Sequence, residues 1–313
     1  MVSSAILLAG PTGSGKSALA LEMAEACDGE IINADSMQVY SDLRVLTARP
    51  ELQDEARAPH HLYGVLDCDQ RCSVGRWIDL AADALDQVRA AGKLPIFVGG
   101  TGLYLRALTD GLAPVPEIPP EVKEASDTLA ERLTSDEFHR QLAARDPEMA
   151  ARLAPSDQQR IKRAWQVIEA TGMSLAVWQA KDPSAPLIPE TDTLRLVIDL
   201  PRQILHDRCN VRFDKMIKEG ALEEVRALMA RSLDPALPAM KALGVPELAS
   251  YLAGDQTFEA AVEAAKAATR RYVKRQSTWF RHQMLGWQMV FAQDSKSISN
   301  KIISIIRKTG LTA

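Results

Sequence analysis

Cysteine is scarce in this 313-residue chain: there are four, Cys27, Cys68, Cys72 and Cys209. Cys68 and Cys72 have no second pair at zinc-ligand spacing, and no secretory signal is recognisable, so the thiols read as reduced and structural, in a cytoplasm. The adjacent His60 and His61 are a poor metal arrangement and read as structural too. Long apolar runs are also missing. The run from Ile6 to Ala9 is far shorter than the roughly 18 residues that a membrane span requires, and no other stretch approaches that length. Nor is there a strong excess of one charge: the formal net charge of -4 argues against a chain that coats nucleic acid over its whole surface, although a local basic patch remains open. Neither a fixed-period repeat nor a low-complexity tract is found.

What is present is a chain long enough for one large domain, or a main domain with a smaller one attached, with 46% hydrophobic residues to fill a core. The first hundred residues alternate short apolar runs with helical patterns: SAILLA, SALALEMAEA, EIINAD, RWIDLAADALDQVRAAG and LPIFVGG. This order predicts βαβ units, hence an α/β fold with a mostly parallel sheet flanked by helices. The proline cluster PVPEIPP, Pro114 to Pro120, breaks any helix or central strand. Helical spacing follows, with ten acidic and five basic residues between Glu117 and Asp157. The division expected is a first core segment at 1–113, a small helical insertion at 114–158, and a core continuation with C-terminal helices at 159–313. In the last segment DQQRIKRAWQVIEATG reads as a basic amphipathic helix ending at Gly172, DTLRLVIDL as a core strand, and Phe258 to about Met284 as one long helix.

Gly10-Pro11-Thr12-Gly13-Ser14-Gly15-Lys16-Ser17 fits G-x-x-x-x-G-K-[ST] at every position, between a strand and a helix. Such a loop curls backbone N–H groups around linked phosphates, Lys16 adds a point charge, and the Ser17 hydroxyl suits Mg²⁺. ATP is its ordinary occupant, but the companions of an NTPase are thin. Asp199 in LRLVIDL lies far along the chain for a Walker-B aspartate, and no N-K-x-D guanine motif occurs. Asp35, at the carboxyl end of the strand EIINAD, suits a metal ligand, a proton acceptor or a turn cap. Gly99, Gly100 and Thr101 close another strand, where a hydroxyl and free backbone can bind a phosphate or a nucleic-acid backbone, or simply form a turn; Arg106 beyond them reads as a solvated charge. Two basic groups, Arg160 with Lys162 and Arg163, and the run from Lys266 through Arg270, Arg271, Lys274 and Arg275 to Arg281, are solvated faces or a polyanion surface. Lys266, Arg270 and Lys274 fall on one helical stripe, with Arg271 and Arg275 on the next.

In their order and combination, GPTGSGKSALA, INADSMQVY, HHL, GKLPIFVGGTGLYLRAL, QRIKRAWQVIEATG, LPRQILHDRCNVRFDKMI and RRYVKRQSTWFR resemble the tRNA dimethylallyltransferase family, also called tRNA isopentenyltransferases. With no zinc-finger extension, the chain is similar to the compact bacterial type. The resemblance implies a P-loop, nucleotide-kinase-like core. It also implies transfer of the dimethylallyl group from dimethylallyl diphosphate to N6 of adenosine 37 in tRNAs reading codons that begin with U, with Mg²⁺ and release of diphosphate. Asp35, Thr101 and Lys16 would be catalytic, with Asp35 the general base. Gly10, Pro11, Thr12, Gly13, Ser14, Gly15, Lys16, Ser17, Arg202 and Arg208 would bind the diphosphate, and Ser17 the metal. Asp35, Ser36, Met37, Gln38, Thr101, Lys123, Gln159, Arg160, Ile161, Lys162, Arg163, Arg271 and Arg275 would contact the anticodon stem-loop of tRNA, as would the loop Met240 to Val245. A cytoplasmic monomer without a membrane partner is expected. The chain departs from the family where Leu243-Gly244-Val245 replaces an I-G-Y-type turn. It departs again in SDLRVLTARP, which lacks the usual glycines before its Thr-Ala-basic-Pro ending. An adenylate isopentenyltransferase, an ATP-dependent small-molecule kinase and a non-catalytic RNA-binding module are the rival readings; the acidic insertion and two basic helices favour tRNA, because a mononucleotide needs neither.

Overall fold

The computed structural model describes residues 4–291 together with Ile302 and Ser304. The chain forms two compact units, one made of Met1–Thr109 and Leu187–Ala313, the other of Asp110–Pro186.

The first part of the larger unit runs β1 (Ala5–Ala9), α1 (Lys16–Cys27), β2 (Gly29–Asn33), α2 (Leu52–Glu55), β3 (His60–His61), α3 (Val74–Ala90), β4 (Leu94–Gly99) and α4 (Gly102–Asp110). The second unit holds α5 (Pro120–Arg132), α6 (Ser135–Arg145), α7 (Pro147–Arg152), α8 (Gln158–Thr171) and α9 (Leu175–Gln179). The larger unit then resumes with β5 (Thr193–Asp199), α10 (Arg202–Lys218), α11 (Ala221–Ala230), α12 (Val245–Leu252), α13 (Phe258–Gln283) and β6 (Gln288–Phe291).

The six strands form one parallel sheet in the order β3-β2-β4-β1-β5-β6. A parallel sheet covered by helices on both faces calls for strands that are apolar throughout, and β1 is buried at every position. Its residues divide by parity. Ala5, Leu7 and Ala9 join a core with Trp77, Phe97 and Tyr104, whereas Ile6 and Leu8 join another with Leu19, Met23 and Ile96. Gly99 ends β4 where only glycine fits, since a Cβ there would sit 2.0 Å from the Ala34 carbonyl oxygen. That close approach brings the ends of β2 and β4 together at the carboxyl edge of the sheet, beside the loop that follows β1.

The helical unit reaches further than the span 114–158 expected from the prolines. Helix α8 reads as basic and amphipathic, but its apolar stripe of Ile161, Ala164 and Trp165 packs with Phe138 and Leu142 of α6, so it belongs with that core. The helices of this unit are separated by side-chain caps at Thr134, Asp146, Asp157 and Ser174, and α8 stops at Gly172 with φ 65°.

Candidate active site

The loop Gly10 to Gly15 turns β1 into α1 through two left-handed glycines, Gly13 at φ 84° and Gly15 at φ 87°. Helix α10 packs on that turn. A Cβ on Gly13 would lie 3.0 Å from Cys209 Sγ and 3.2 Å from the Leu205 carbonyl oxygen, so both conformation and space demand glycine. Cys209 Sγ donates to the Thr12 carbonyl oxygen at 3.5 Å. The Ser14 hydroxyl is buried without a hydrogen-bond partner among the described residues, as expected of a donor held for an anion. Lys16 opens α1 half-buried, and burial pushes its ammonium down to about 8; the Asp35 carboxylate opposes that shift and Arg212 adds to it.

Asp35 is held by Asn33, a buried residue at the end of β2. Asn33 Oδ1 accepts the Asp35 N–H at 2.8 Å, and Asn33 Nδ2 donates to the carbonyl oxygens of Asp35 and Leu62 at 3.0 Å each. Asp35 Oδ1 accepts from the Met37 N–H at 3.0 Å, so one oxygen caps the turn. The other faces Gly100, where a Cβ would come within 3.3 Å of Oδ2 and 2.4 Å of Gln276 Nε2. Thr101 Oγ1 accepts the Ser36 N–H at 2.9 Å and thereby ties the two strand ends together.

Gln276, buried on α13, closes the arrangement. Its Oε1 accepts the Thr12 N–H at 2.9 Å, and its Nε2 donates to the Gly100 carbonyl oxygen at 2.9 Å. One side chain therefore links the phosphate-type loop to the turn beside Asp35.

Two cavities border this centre. One of about 470 Å³ is lined by Ser17, Arg44, Arg49, Tyr63, Arg212 and Lys215, among others. A smaller one of about 60 Å³ is lined by Thr12, Asp35, Leu46, Arg212, Leu243 and Tyr272, among others. Arg212 lines both, and burial holds its guanidinium below the ordinary arginine range. The site thus brings a glycine turn of phosphate-loop pattern together with two half-buried cations, Lys16 and Arg212, and the Asp35 carboxylate.

The chain matches the IPP transferase family over residues 38–283 and the isopentenyl transferase family over residues 3–65. It is 51% identical over 306 residues to the tRNA dimethylallyltransferase of Phenylobacterium zucineum, covering 98% of each chain. It is 50% identical over 311 residues to that of Parvibaculum lavamentivorans, covering 99% of this chain and 98% of the relative. The chain belongs to the tRNA dimethylallyltransferase family. Among solved structures it is similar to the tRNA isopentenylpyrophosphate transferase of Bacillus halodurans, with TM-score 0.69, 28% identity and 98% of each chain covered. It is also similar to a eukaryotic dimethylallyltransferase described as acting on tRNA, with TM-score 0.81 and 26% identity, covering 98% of this chain and 79% of that one. As a member of the tRNA dimethylallyltransferase family it is a transferase.

Not every residue implied by the family resemblance meets at this centre. Gly10 to Ser17, Asp35 and Thr101 do. Arg208 packs beside Gly13, its Cβ 3.7 Å from the position a Gly13 Cβ would take, whereas Arg202 is exposed at the start of α10 with its Nε 3.4 Å from His206 Nε2. The sequence does not single out Arg212, yet the guanidinium lining both cavities is its own. Ser36, Met37 and Gln38 follow Asp35 in the loop after β2, where Gln38 Nε2 donates to the Thr47 and Ala48 carbonyls at 2.9 and 3.0 Å. Asp199 at the end of β5 is buried and paired with Arg281 at 3.0 Å. His61 pairs with Glu30 at 2.7 Å, and among the described residues no group of three or more His, Cys, Asp or Glu side chains could hold a metal.

In the second unit Lys123, Gln159, Arg160 and Arg163 are exposed, and Lys162 is paired with Asp127. Ile161 is 0% exposed in that unit's core, so its side chain has nothing to offer a ligand. On α13, Arg271, Lys274 and Arg275 are exposed. The Arg275 guanidinium lies 5.4 Å from the centroid of the Tyr272 ring. Lys266, on the same helix, is instead bound to Asp214 at 2.7 Å, and Arg270 donates to Asn210 at 2.7 Å. The basic face is therefore narrower than the sequence implies. Val245 is buried at the start of α12, while Leu243 lines the smaller cavity.

Proposed function

We propose that the protein transfers the dimethylallyl group of dimethylallyl diphosphate to N6 of adenosine 37 in tRNAs reading codons that begin with U. The observation that carries this reading is the meeting of Lys16, Arg212 and Asp35 beside the glycine turn, at one half-buried centre.

In the reaction the bond between the allylic carbon and the bridging oxygen breaks, its electron pair leaves with diphosphate, and the N6 nitrogen bonds to that carbon. Backbone donors of Gly13 to Ser17, the Ser14 hydroxyl, Lys16 and Arg212 hold the leaving group, and they strengthen as its charge grows. Asp35 accepts the N6 proton as the amine loses its conjugation with the ring. Thr101 positions the segment that carries Asp35. An adenine in an anticodon loop is unstacked at a cost of about a few kcal/mol, less than a duplex base demands. The smaller cavity, with Leu46, Leu243 and Tyr272 in its wall, offers apolar and aromatic surface to the five-carbon group.

Ser17, exposed in the first turn of α1 and lining the larger cavity, would hold Mg²⁺ through its hydroxyl, a hard oxygen donor that suits this ion. When bound, it supplies further charge neutralisation on the leaving group. Arg202 and Arg208 are proposed diphosphate contacts, Lys123, Gln159, Arg160, Lys162, Arg163, Arg271 and Arg275 are proposed tRNA contacts, and a cytoplasmic monomer is the proposed form.

The test is incubation with dimethylallyl diphosphate, Mg²⁺ and either an unmodified anticodon stem-loop or AMP, with mass spectrometry of the nucleosides. N6-dimethylallyl adenosine from the stem-loop alone is expected. Product from AMP alone, or brisk ATP hydrolysis without prenyl transfer, would overturn the reading.

A further inference from the structure

The segment Ser41 to Pro50 forms wall in both cavities: Arg44, Val45, Ala48 and Arg49 border the larger one, Leu46 and Thr47 the smaller. It contains no helix or strand of its own. A wall of loop backbone needs partners for its N–H groups, and here three consecutive ones share a single acceptor. Glu224, in the first turn of α11, accepts the Arg44 N–H at 2.6 Å and the Val45 N–H at 2.7 Å on Oε1, and the Leu46 N–H at 2.9 Å on Oε2. Successive N–H groups that converge on one anion form a nest, and here the anion is a carboxylate from 178 to 180 positions away. The Arg49 guanidinium, which also feels the Glu224 charge, donates back to the Ser41 carbonyl at 3.1 Å.

We infer that Glu224 is a positioning residue for the prenyl donor: its carboxylate holds the segment Arg44 to Leu46 against the site, so that Arg44 and Arg49 face the larger cavity and Leu46 the smaller. This rests on the donor reading above. The segment has no glycine, and a charged acceptor supplies its order. Glu224 touches no reacting atom; it acts through the loop.

The experiment compares the full-length protein with Glu224→Ala and Glu224→Gln, reading amide hydrogen exchange, melting temperature and kinetics with dimethylallyl diphosphate and an anticodon stem-loop. The Arg44, Val45 and Leu46 amides should exchange at least about tenfold faster in Glu224→Ala, since each loses a hydrogen bond to a charged group, while sheet amides stay protected. KM for dimethylallyl diphosphate should rise about tenfold in that variant, with kcat within about threefold and KM for the stem-loop unmoved. Glu224→Gln, which keeps one acceptor oxygen, should fall between. Unchanged exchange at residues 44–46 would overturn the anchor. Faster exchange with an unmoved donor KM would overturn its role in donor binding. Loss of protection throughout the sheet would make Glu224 a general stability residue and overturn the proposal as well. Wild-type protein inert towards dimethylallyl diphosphate would remove the donor reading, and with it the donor role of Glu224, while the exchange data would still decide the anchor.

Discussion

Thr12 and Gln276 are 264 positions apart in sequence and joined by one hydrogen bond of 2.9 Å, from the Thr12 N–H to Gln276 Oε1. The same amide group reaches the Gly100 carbonyl oxygen. The spacing between the phosphate-type loop and the turn beside Asp35 is therefore set by a third element, α13.

Gln276→Leu should lower kcat about 10- to 100-fold, because small misplacement of reacting groups is expensive, while KM for dimethylallyl diphosphate changes less. The variant also leaves the Thr12 N–H and Gly100 carbonyl without their partner, at about 1–3 kcal/mol of stability. Thermal melting gives the second figure and single-turnover kinetics the first; near wild-type turnover would deny Gln276 its role.

Asp35→Ala should leave donor binding intact and lower the single-turnover rate by about 10²-fold or more, the usual size of a general-base contribution. Because Asp35 Oδ1 also caps the Met37 N–H, Asp35→Asn is the better control, since it retains an acceptor there. Equal losses in both variants point to the proton transfer; a loss in Asp35→Ala alone would point to the cap.

Lys16 titrates at about 8 in the folded chain and at 10.5 as a free side chain. Between those values the unfolded chain binds the extra proton, so this group makes stability rise with pH across about pH 8 to 10.5. Donor binding has the opposite slope. Dimethylallyl diphosphate favours the charged lysine, so its Kd should climb as pH passes 8. Calorimetry from about pH 7 to 10 should show that climb in wild type and a flatter profile in Lys16→Met; identical profiles would remove Lys16 from the donor site.

Arg271→Ala with Arg275→Ala should weaken tRNA binding and flatten its salt dependence by a slope of about two, one for each phosphate left without its arginine. Lys266→Ala should instead cost stability, since Lys266 is bound to Asp214 and Glu263. Filter binding across a salt series separates these cases, and an unchanged slope in the double variant would mean that the exposed arginines meet solvent only.

The loop Gly10 to Ser17 and the position of Asp35 are legible in the sequence because both depend on local spacing, a glycine pattern between strand and helix and a carboxylate at a strand end. Arg212 leaves only a trace there. Leu205, Cys209 and Met216 mark the buried stripe of α10, and Arg212 falls on that stripe, where a charge has no business unless it serves a site. Gln276 is the same case on α13, a polar side chain among Thr269, Val273 and Phe280. The resemblance points to Arg202 and Arg208 on the same helix, of which Arg202 is exposed and Arg208 lies beside Gly13. The extent of the helical unit is hidden for a related reason: the charges of α8 suggest an outer face of the core, while its apolar stripe has a partner in α6 that no local pattern reveals.

The chain leaves the sheet-bearing unit and returns to it at nearly the same point. The Ile188 N–H donates to the Leu108 carbonyl at 3.1 Å, and a little further out the Ser184 N–H donates to the Leu112 carbonyl at 2.8 Å, with the Ser184 hydroxyl accepting from the Leu112 N–H. Between those two stitches and the helices lies an excursion whose ends are already closed, so its length matters to the sheet only through the slowly growing entropy of loop closure. The sheet-bearing unit is in this sense a fold with a graft: the insertion could be lengthened, exchanged or shortened to a tight turn without any strand of the sheet losing its neighbour.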